Sequence, residues 1–414
     1  MGSLLGRTHA PAPRYRACVS AALLALGMQA VCGAAPETPA TPAEATSAPA
    51  VPTPEAAAAP ATGEAAAAPQ ANEHSEFHGS VELDNQYSEG THPLRATLAL
   101  SYSDLFSKQD ELSALYQLAP EDARQVGVFI ANYASHPLPD GLQPSVYFLD
   151  SSTNVPTADT VGVLGKGQIV GFRLSHALGA AKAQSLTLAV DYRHFRNTTA
   201  ITEAGLASTT PVSYLNLSLA YAGNWSTAKR EAAVSVSANY GPHGGANADN
   251  AIADQDFHAR ENYFYLRADG TLVTALPQGL RLYLRLAGQY SQKSLLVDED
   301  YPVAGIDGVR GYLEAEVLGD RALKGTLQLQ SPTWKKDAKA LADGFAFFDA
   351  AAAELIDAAP GASLHSHPRS WGLGLDLLPG RNLAASLVWA RPLVSANTTQ
   401  AGESRILFLV RGSF

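Results

Sequence analysis

Alternation of apolar and polar residues with a period of two is the dominant pattern of this 414-residue chain. From Leu280 to Leu286, leucine stands at every second position and alternates with Arg281, Tyr283 and Arg285. A β-strand places these leucines on one face, whereas a helix would scatter them around its axis. The opposite face carries arginines, which need water. Lipid outside a closed sheet and water inside it would satisfy both faces.

The recurrence of this pattern predicts an all-β fold, a transmembrane antiparallel β-barrel of about 16 strands. An even number of strands is typical of single-chain barrels of the bacterial outer membrane, which is the expected location. Tyrosine ends the apolar face of several strands, where an interfacial aromatic girdle would lie. The predicted strands cover residues 77–88, 92–105, 110–118, 125–133, 143–150, 167–178, 183–196, 211–223, 230–240, 258–275, 279–291, 321–331, 343–354, 369–378, 382–392 and 403–414.

The connections between these strands differ in length in a regular way. Connections after even-numbered strands are mostly short, whereas those after odd-numbered strands are long from the fifth strand onward. Long outer loops and short periplasmic turns are expected of an outer-membrane barrel. The turn at 332–342, which contains three lysines, is longer than this rule predicts. We interpret it as a solvated helical turn.

The N-terminal region divides into two predicted segments before the barrel. Residues 1–35 have the pattern of a signal peptide, with arginines, an apolar run too short for a stable transmembrane helix, and small residues. Lipidation at Cys32 is the competing interpretation, although Gln29 stands where that signal favours leucine. Residues 36–73 are rich in alanine and proline and are predicted to be a disordered linker. Residues 74–414 are expected to form the barrel.

Composition and motifs argue against several other classes of function. The formal net charge of −10 gives no basis for nucleic-acid binding. Both cysteines lie within residues 1–35, so a mature chain would have no disulfide and no thiolate metal ligand. We find no nucleophile–base or phosphate-binding motif in the mature chain, so neither catalysis nor a cofactor is expected. No metal is expected either, because His365, His367 and the acidic run Asp298–Asp300 offer incomplete ligand sets in predicted solvated loops.

The longest predicted outer loop, the sixth, carries the most specific motif of the chain. It lies near residues 292–320 and contains Val309-Arg310-Gly311-Tyr312, followed by a Gly-Asp-Arg triplet. An Arg-Gly-Tyr sequence alone is typical of an ordinary turn. Its position in the sixth loop and its continuation make the combination far more specific.

A second motif, Phe347-Phe348-Asp349, lies on a later predicted strand. With both motifs, residues 77–414 resemble the barrel of the two-partner secretion transporters, the haemolysin secretion/activation family. This family belongs to the superfamily of outer-membrane assembly and translocation barrels. The resemblance implies that the sixth loop folds back into the lumen and that Arg310 pairs there with Asp349, beside Phe347. A guanidinium in a narrow lumen needs an acceptor, and a carboxylate matches it with two hydrogen bonds.

The last predicted strand ends in the aromatic residue Phe414. Ile406, Phe408, Val410 and Phe414 share one face of that strand. A strand of this kind resembles the signal by which outer-membrane barrels are recognised, which implies the barrel-assembly machinery as a partner. By itself the signal is weak, because any β protein can end in phenylalanine.

The chain departs from the family pattern before the barrel. Full-length members carry periplasmic POTRA domains, and residues 36–73 are too few for a folded domain. We therefore expect a barrel-only variant, in which a separate POTRA-bearing partner or the linker recruits the client, or in which the barrel has become a passive channel. The expected function is translocation of a secreted haemolysin- or adhesin-like exoprotein across the lipid bilayer of the outer membrane, without catalysis. A diffusion porin or an anchoring barrel is the alternative.

Overall fold

A computed structural model describes the chain from residue 77 to its C-terminus, apart from several connecting segments. The predicted signal peptide and linker lie outside the described residues, as do parts of the predicted outer loops. The described ranges are 77–152, 166–179, 183–196, 198–201, 206–209, 211–242, 262–336, 340–356, 364–380 and 382–414.

Sixteen antiparallel strands form one sheet that closes on itself, which confirms the predicted fold class and strand number. Every strand overlaps its predicted counterpart, because alternation along each strand is a local signal that reports a half-buried sheet. Each strand pairs with its neighbours in the chain, and the last pairs with the first. In chain order the strands are β1 Phe77–Asp84, β2 Arg95–Ser103, β3 Glu111–Leu118, β4 Gly127–Ala134, β5 Leu142–Ser151, β6 Gly167–Leu178, β7 Gln184–Phe195, β8 Val212–Ser226, β9 Arg230–Tyr240, β10 Phe264–Ala275, β11 Arg281–Ser291, β12 Arg321–Gln330, β13 Ala340–Glu354, β14 Arg369–Leu378, β15 Leu383–Pro392 and β16 Arg405–Ser413.

The two faces of the sheet have opposite chemistry, with the apolar face outside. On β11, Leu286 is 53% exposed, whereas the neighbouring Arg285 is 5% exposed. The same contrast recurs on β7, where Leu188 faces outward and Asp191 is buried. Exposed leucines and buried charges are the reverse of a water-soluble protein and fit a barrel that has lipid around it. Among the described residues, no helix is both long and apolar enough to cross a membrane.

β1 and β16 close the barrel at a seam that joins the two ends of the described chain. Their register runs from Ser80 opposite Ser413 to Asp84 opposite Leu409. A side-chain pair supports it, because the Arg411 guanidinium donates to the Glu82 carboxylate.

Two large aromatic side chains on β13 point into the lumen and lie across glycines of β14. Phe345 and Phe347 are both 5% exposed, and they stand opposite Gly374 and Gly372 in the register. A side chain at either glycine would occupy the space of these rings. The glycines therefore leave room for both rings, and the Phe347 ring becomes part of the site described below.

We expect Gly372→Ala to destabilise the folded barrel by about 1–3 kcal/mol, the usual cost of overpacking. The added methyl group would lie 2.5 Å from Cζ of Phe347 and 2.1 Å from the carbonyl oxygen of Trp389. Urea unfolding in lipid vesicles, followed by tryptophan fluorescence, measures the change. Gly412→Ala is the matched control, because a Cβ there meets no atom within 4 Å. Equal stability of the two variants would contradict this packing account.

One turn differs from its sequence interpretation. Residues Trp334–Lys336 form a short strand that pairs with residues 340–342, so a helical turn at 332–342 was the wrong interpretation. The pairing continues the β12–β13 hairpin beyond the wall. Local composition did not reveal that strand pairing continues into this turn.

Candidate functional site: a loop folded into the lumen

The connection between β11 and β12, here called loop 6 (residues 292–320), folds into the barrel. Tyr301–Pro302 pairs with Leu318–Gly319 at its base, and the Val303 N–H donates to the Val317 carbonyl. Beyond this base, the tip turns sharply, and the Val309 N–H donates back to the Val303 carbonyl. The loop therefore has its own backbone hydrogen bonds, which a segment buried away from water requires.

Arg310 at the tip of loop 6 forms a buried ion pair with Asp349 on β13. Its Nε donates to Asp349 Oδ2 at 2.7 Å, and its Nη2 donates to Oδ1 at 2.9 Å. The Arg310 backbone N–H also donates to Oδ2, and Nη1 donates to Gln328 Oε1 at 3.1 Å. The two side chains are 1% and 0% exposed, so the bidentate pair is screened from water.

Phe347 and Gly311 complete the surroundings of this arginine. The guanidinium carbon of Arg310 lies 3.4 Å from the centre of the Phe347 ring, in a cation–π arrangement. Gly311 has a φ of +94°, which a residue with a side chain rarely adopts, and it packs closely against Ala390 and Pro392 of β15. The glycine thus lets the tip turn where it lies against β15.

The remaining motif residues anchor the loop on either side of Arg310. Val309 is fully buried in a cluster that includes Val303 and Ala351. The Tyr312 hydroxyl donates to the Val394 carbonyl at 2.6 Å and accepts from the Arg369 N–H. Burial raises the pKa of the Tyr312 phenol.

The part of loop 6 that follows its tip, here called the returning limb, is bound through Glu316 to the connection between β15 and β16. The Glu316 carboxylate accepts the backbone N–H groups of Thr398 and Thr399 and the Thr399 hydroxyl. The Asn397 amide donates to the Glu316 carbonyl. Sequence analysis did not identify Glu316, because its partners lie more than 80 residues away in another loop.

Glu299 binds the part of loop 6 that precedes its tip, here called the entering limb, to side chains of β7, β8 and β10. Its Oε1 accepts from Arg193 Nη1 at 2.5 Å and from the Tyr214 hydroxyl at 2.7 Å, and its Oε2 accepts from the Tyr265 hydroxyl at 2.6 Å. Arg193 also pairs with Asp191 at 3.0 Å. The carboxylate is fully buried, so these donors replace the water that it lost.

This arrangement corrects the expectation that Asp298–Asp300 is a solvated loop segment. All three residues are at most 5% exposed. In the described part of the chain, no cluster of acidic, histidine or cysteine side chains could hold a metal ion. His365 and His367, by contrast, are exposed.

Phe414 lies apart from loop 6, on the outside of the β1–β16 seam. Its backbone N–H and carbonyl pair with Gly79, and its ring is 62% exposed. The ring lies 6.3 Å from that of Phe77, measured between centroids. The residue therefore faces the lipid where the sheet closes.

Known proteins resemble this chain in family and in fold. A family model described as haemolysin secretion/activation protein ShlB/FhaC/HecB matches residues 69–350. CdiB from Escherichia coli aligns with a TM-score of 0.63 at 14% identity, covering 83% of this chain and 64% of that one. CdiB from Acinetobacter baumannii aligns with a TM-score of 0.56 at 14% identity, covering 82% and 60%.

The barrel of BamA from Haemophilus ducreyi, in a structure lacking POTRA domains 1–3, also aligns. Its TM-score is 0.58 at 11% identity, and the match covers 82% of this chain and 70% of that one. A search of the curated proteins found no match. The chain thus spans less than two thirds of each CdiB structure, and at these identities the structural matches show the fold alone. The family model covers more than half of the chain, so the chain belongs to the haemolysin secretion/activation (ShlB/FhaC/HecB) family, as its motifs predicted.

Proposed function

We propose that this protein is a translocation barrel of the two-partner secretion type, which moves an exoprotein across the outer membrane. The observation that carries the proposal is loop 6, which lies inside the lumen and is held by a small set of polar contacts. A loop held in this way can leave a pore when its contacts are exchanged. Family membership and the apolar outer face support the outer membrane as its location.

In this proposal the motif residues hold the pore closed rather than perform chemistry. Arg310, Asp349 and Phe347 fix the tip, Gly311 allows its turn, and Val309 and Tyr312 bind its flanks. The sequence shows no phosphate-binding motif, so we propose that folding of the exoprotein outside the cell supplies the energy.

Co-expression with a candidate exoprotein, sought first among the products of the neighbouring genes, tests translocation directly. We expect the exoprotein in the medium only when this barrel is present, and in the periplasm when the gene is deleted. Complementation with the wild-type gene restores export. Unchanged export in the deletion strain, together with a steady salt-dependent conductance of the purified barrel, would contradict translocation and favour the diffusion porin.

We also propose that Phe414 is part of the signal read by the barrel-assembly machinery. Its lipid-facing ring stands at the seam, and its backbone groups pair with Gly79. We expect Phe414→Ala to lower the amount of heat-modifiable, folded barrel in the outer membrane by several-fold. Phe348→Ala is the matched control, because Phe348 is a lipid-facing aromatic on β13, 44% exposed and far from the seam in sequence. An equal loss in both variants would indicate a general loss of apolar contact instead.

A further inference from the structure

One side of the lumen carries an apolar wall where polar residues are expected. In a water-filled barrel the inward positions are polar, and here Ser113, Asn132 and Thr187 follow that rule. On β4, β5, β6 and β8, towards the end of the barrel from which loop 6 enters, the inward residues are apolar. They include Ile130, Leu149, Ile169 and Val212, and all are less than 3% exposed.

A short segment of loop 6 covers this wall. Leu295 and Leu296 are fully buried and belong to the same cluster of packed residues. The backbone at Leu296 is extended, with φ −66° and ψ 144°. The occupant is therefore a pair of adjacent apolar side chains, with extended backbone at Leu296 just before the short 3-10 turn Val297–Glu299.

Polar contacts hold this segment from both ends. The Leu295 N–H donates to Asp320 Oδ1 at 2.5 Å, and Asp320 Oδ2 also accepts the Ile356 N–H. Glu299 lies three residues beyond Leu296 and binds the wall through Arg193 and two tyrosines. The leucines would leave as a unit when these contacts break, and the apolar wall would then face the lumen.

We propose that this wall binds the apolar side chains of an extended client polypeptide, and that Leu295 and Leu296 occupy it when no client is present. The inference rests on the proposed function and names the surface that such a client would meet. An unfolded polypeptide offers what the loop itself offers there, which is an extended backbone with apolar side chains. Because burial of apolar area is non-directional, the wall would accept many sequences.

This surface is tested by measuring how added peptides block the ion conductance of the purified full-length barrel in planar bilayers. The variant carries Leu295→Asn with Leu296→Asn, which frees the wall. The two probes are a short peptide of alternating leucine and serine, and one in which asparagine replaces each leucine. We expect the leucine peptide to block the conductance of the variant at a concentration at least about tenfold lower than the asparagine peptide needs. Burial of one leucine is worth at least this factor. The wild-type barrel should show a much smaller preference.

Two further variants separate the wall from general effects. Adding Ile130→Asn and Ile169→Asn to the double variant should remove the preference, whereas adding Ser175→Asn, at a polar inward position of β6, should keep it. Heat-modifiability in gels checks that each variant is folded. A photo-crosslinker at Ile169 in the otherwise unchanged chain should capture the loop-6 peptide that contains Leu295, which tests the resting contact without removing it.

The outcomes distinguish this inference from the proposed function. Equal block by both peptides, or a preference that survives the wall substitutions, would overturn the inference even in a barrel that exports its exoprotein. A preference that the wall substitutions abolish would support the surface. If that barrel nevertheless exports no exoprotein, translocation fails while the polypeptide-binding wall stands.

Discussion

Replacing Arg310 with alanine is expected to abolish export of the exoprotein while the barrel remains inserted in the membrane. The substitution leaves the Asp349 carboxylate buried without its guanidinium, and breaking a buried pair in this way costs about 3–5 kcal/mol. This free-energy cost destabilises the state in which the tip of loop 6 lies against β13, relative to the state in which the tip has left it. The loop should therefore leave the lumen, which raises the steady conductance in planar bilayers and removes the controlled opening that export requires.

Three variants make this result specific. Arg310→Lys keeps the charge but not the bidentate geometry, so an intermediate conductance is expected. Adding Asp349→Ala to Arg310→Ala removes the stranded carboxylate and should recover part of the lost stability without restoring export. Arg391→Ala, at an exposed arginine of β15, should behave as wild type. Normal export and normal conductance in Arg310→Ala would rule out the assigned role of the ion pair.

Replacing Glu299 with glutamine is expected to loosen the entering limb of loop 6 while its tip stays at Asp349. Glutamine keeps the shape of the side chain but removes the charge that accepts from Arg193 and two tyrosines. Hydrogen bonds to charged groups are worth about 1.5–3 kcal/mol each, so the opening equilibrium of this limb should shift by at least about tenfold. Limited trypsin digestion measures the shift as faster cleavage after the exposed Lys293.

Glu403→Gln provides the matched control, since Glu403 is an exposed glutamate of the connection between β15 and β16. It should leave the cleavage rate after Lys293 unchanged. Conductance of Glu299→Gln should show brief openings rather than the steady increase expected for Arg310→Ala. Cleavage at the wild-type rate would mean that Glu299 does not hold the limb.

The sequence predicted the wall of the barrel well because the information there is local. Alternation within ten residues decides which side chains face lipid, and the β11 leucines and arginines follow it. The strand number and the closure follow from repeating that decision along the chain. The contact between Arg310 and Asp349 was expected from the family resemblance, and alternation alone would not have suggested it.

What the sequence did not reveal is where a long loop goes. Asp298–Asp300 resembled a solvated loop because an acidic run near the end of a strand is usually exposed to solvent. Its burial depends on donors that include Arg193, which lies about 100 residues earlier in the chain. Glu316 meets its partners more than 80 residues later. Such pairs are set by the packing of loop 6 against the whole lumen, which no local pattern encodes.

The seam between β1 and β16 has a consequence for the kinetics of folding. The contact between Glu82 and Arg411 spans 329 residues, so the barrel cannot close before its last strand is available. Topologies dominated by such distant contacts fold slowly. Until closure, β1 presents an unpaired edge that can pair with other chains. The yield of closed barrel should therefore fall as synthesis outpaces assembly, because the unclosed chains that accumulate can aggregate.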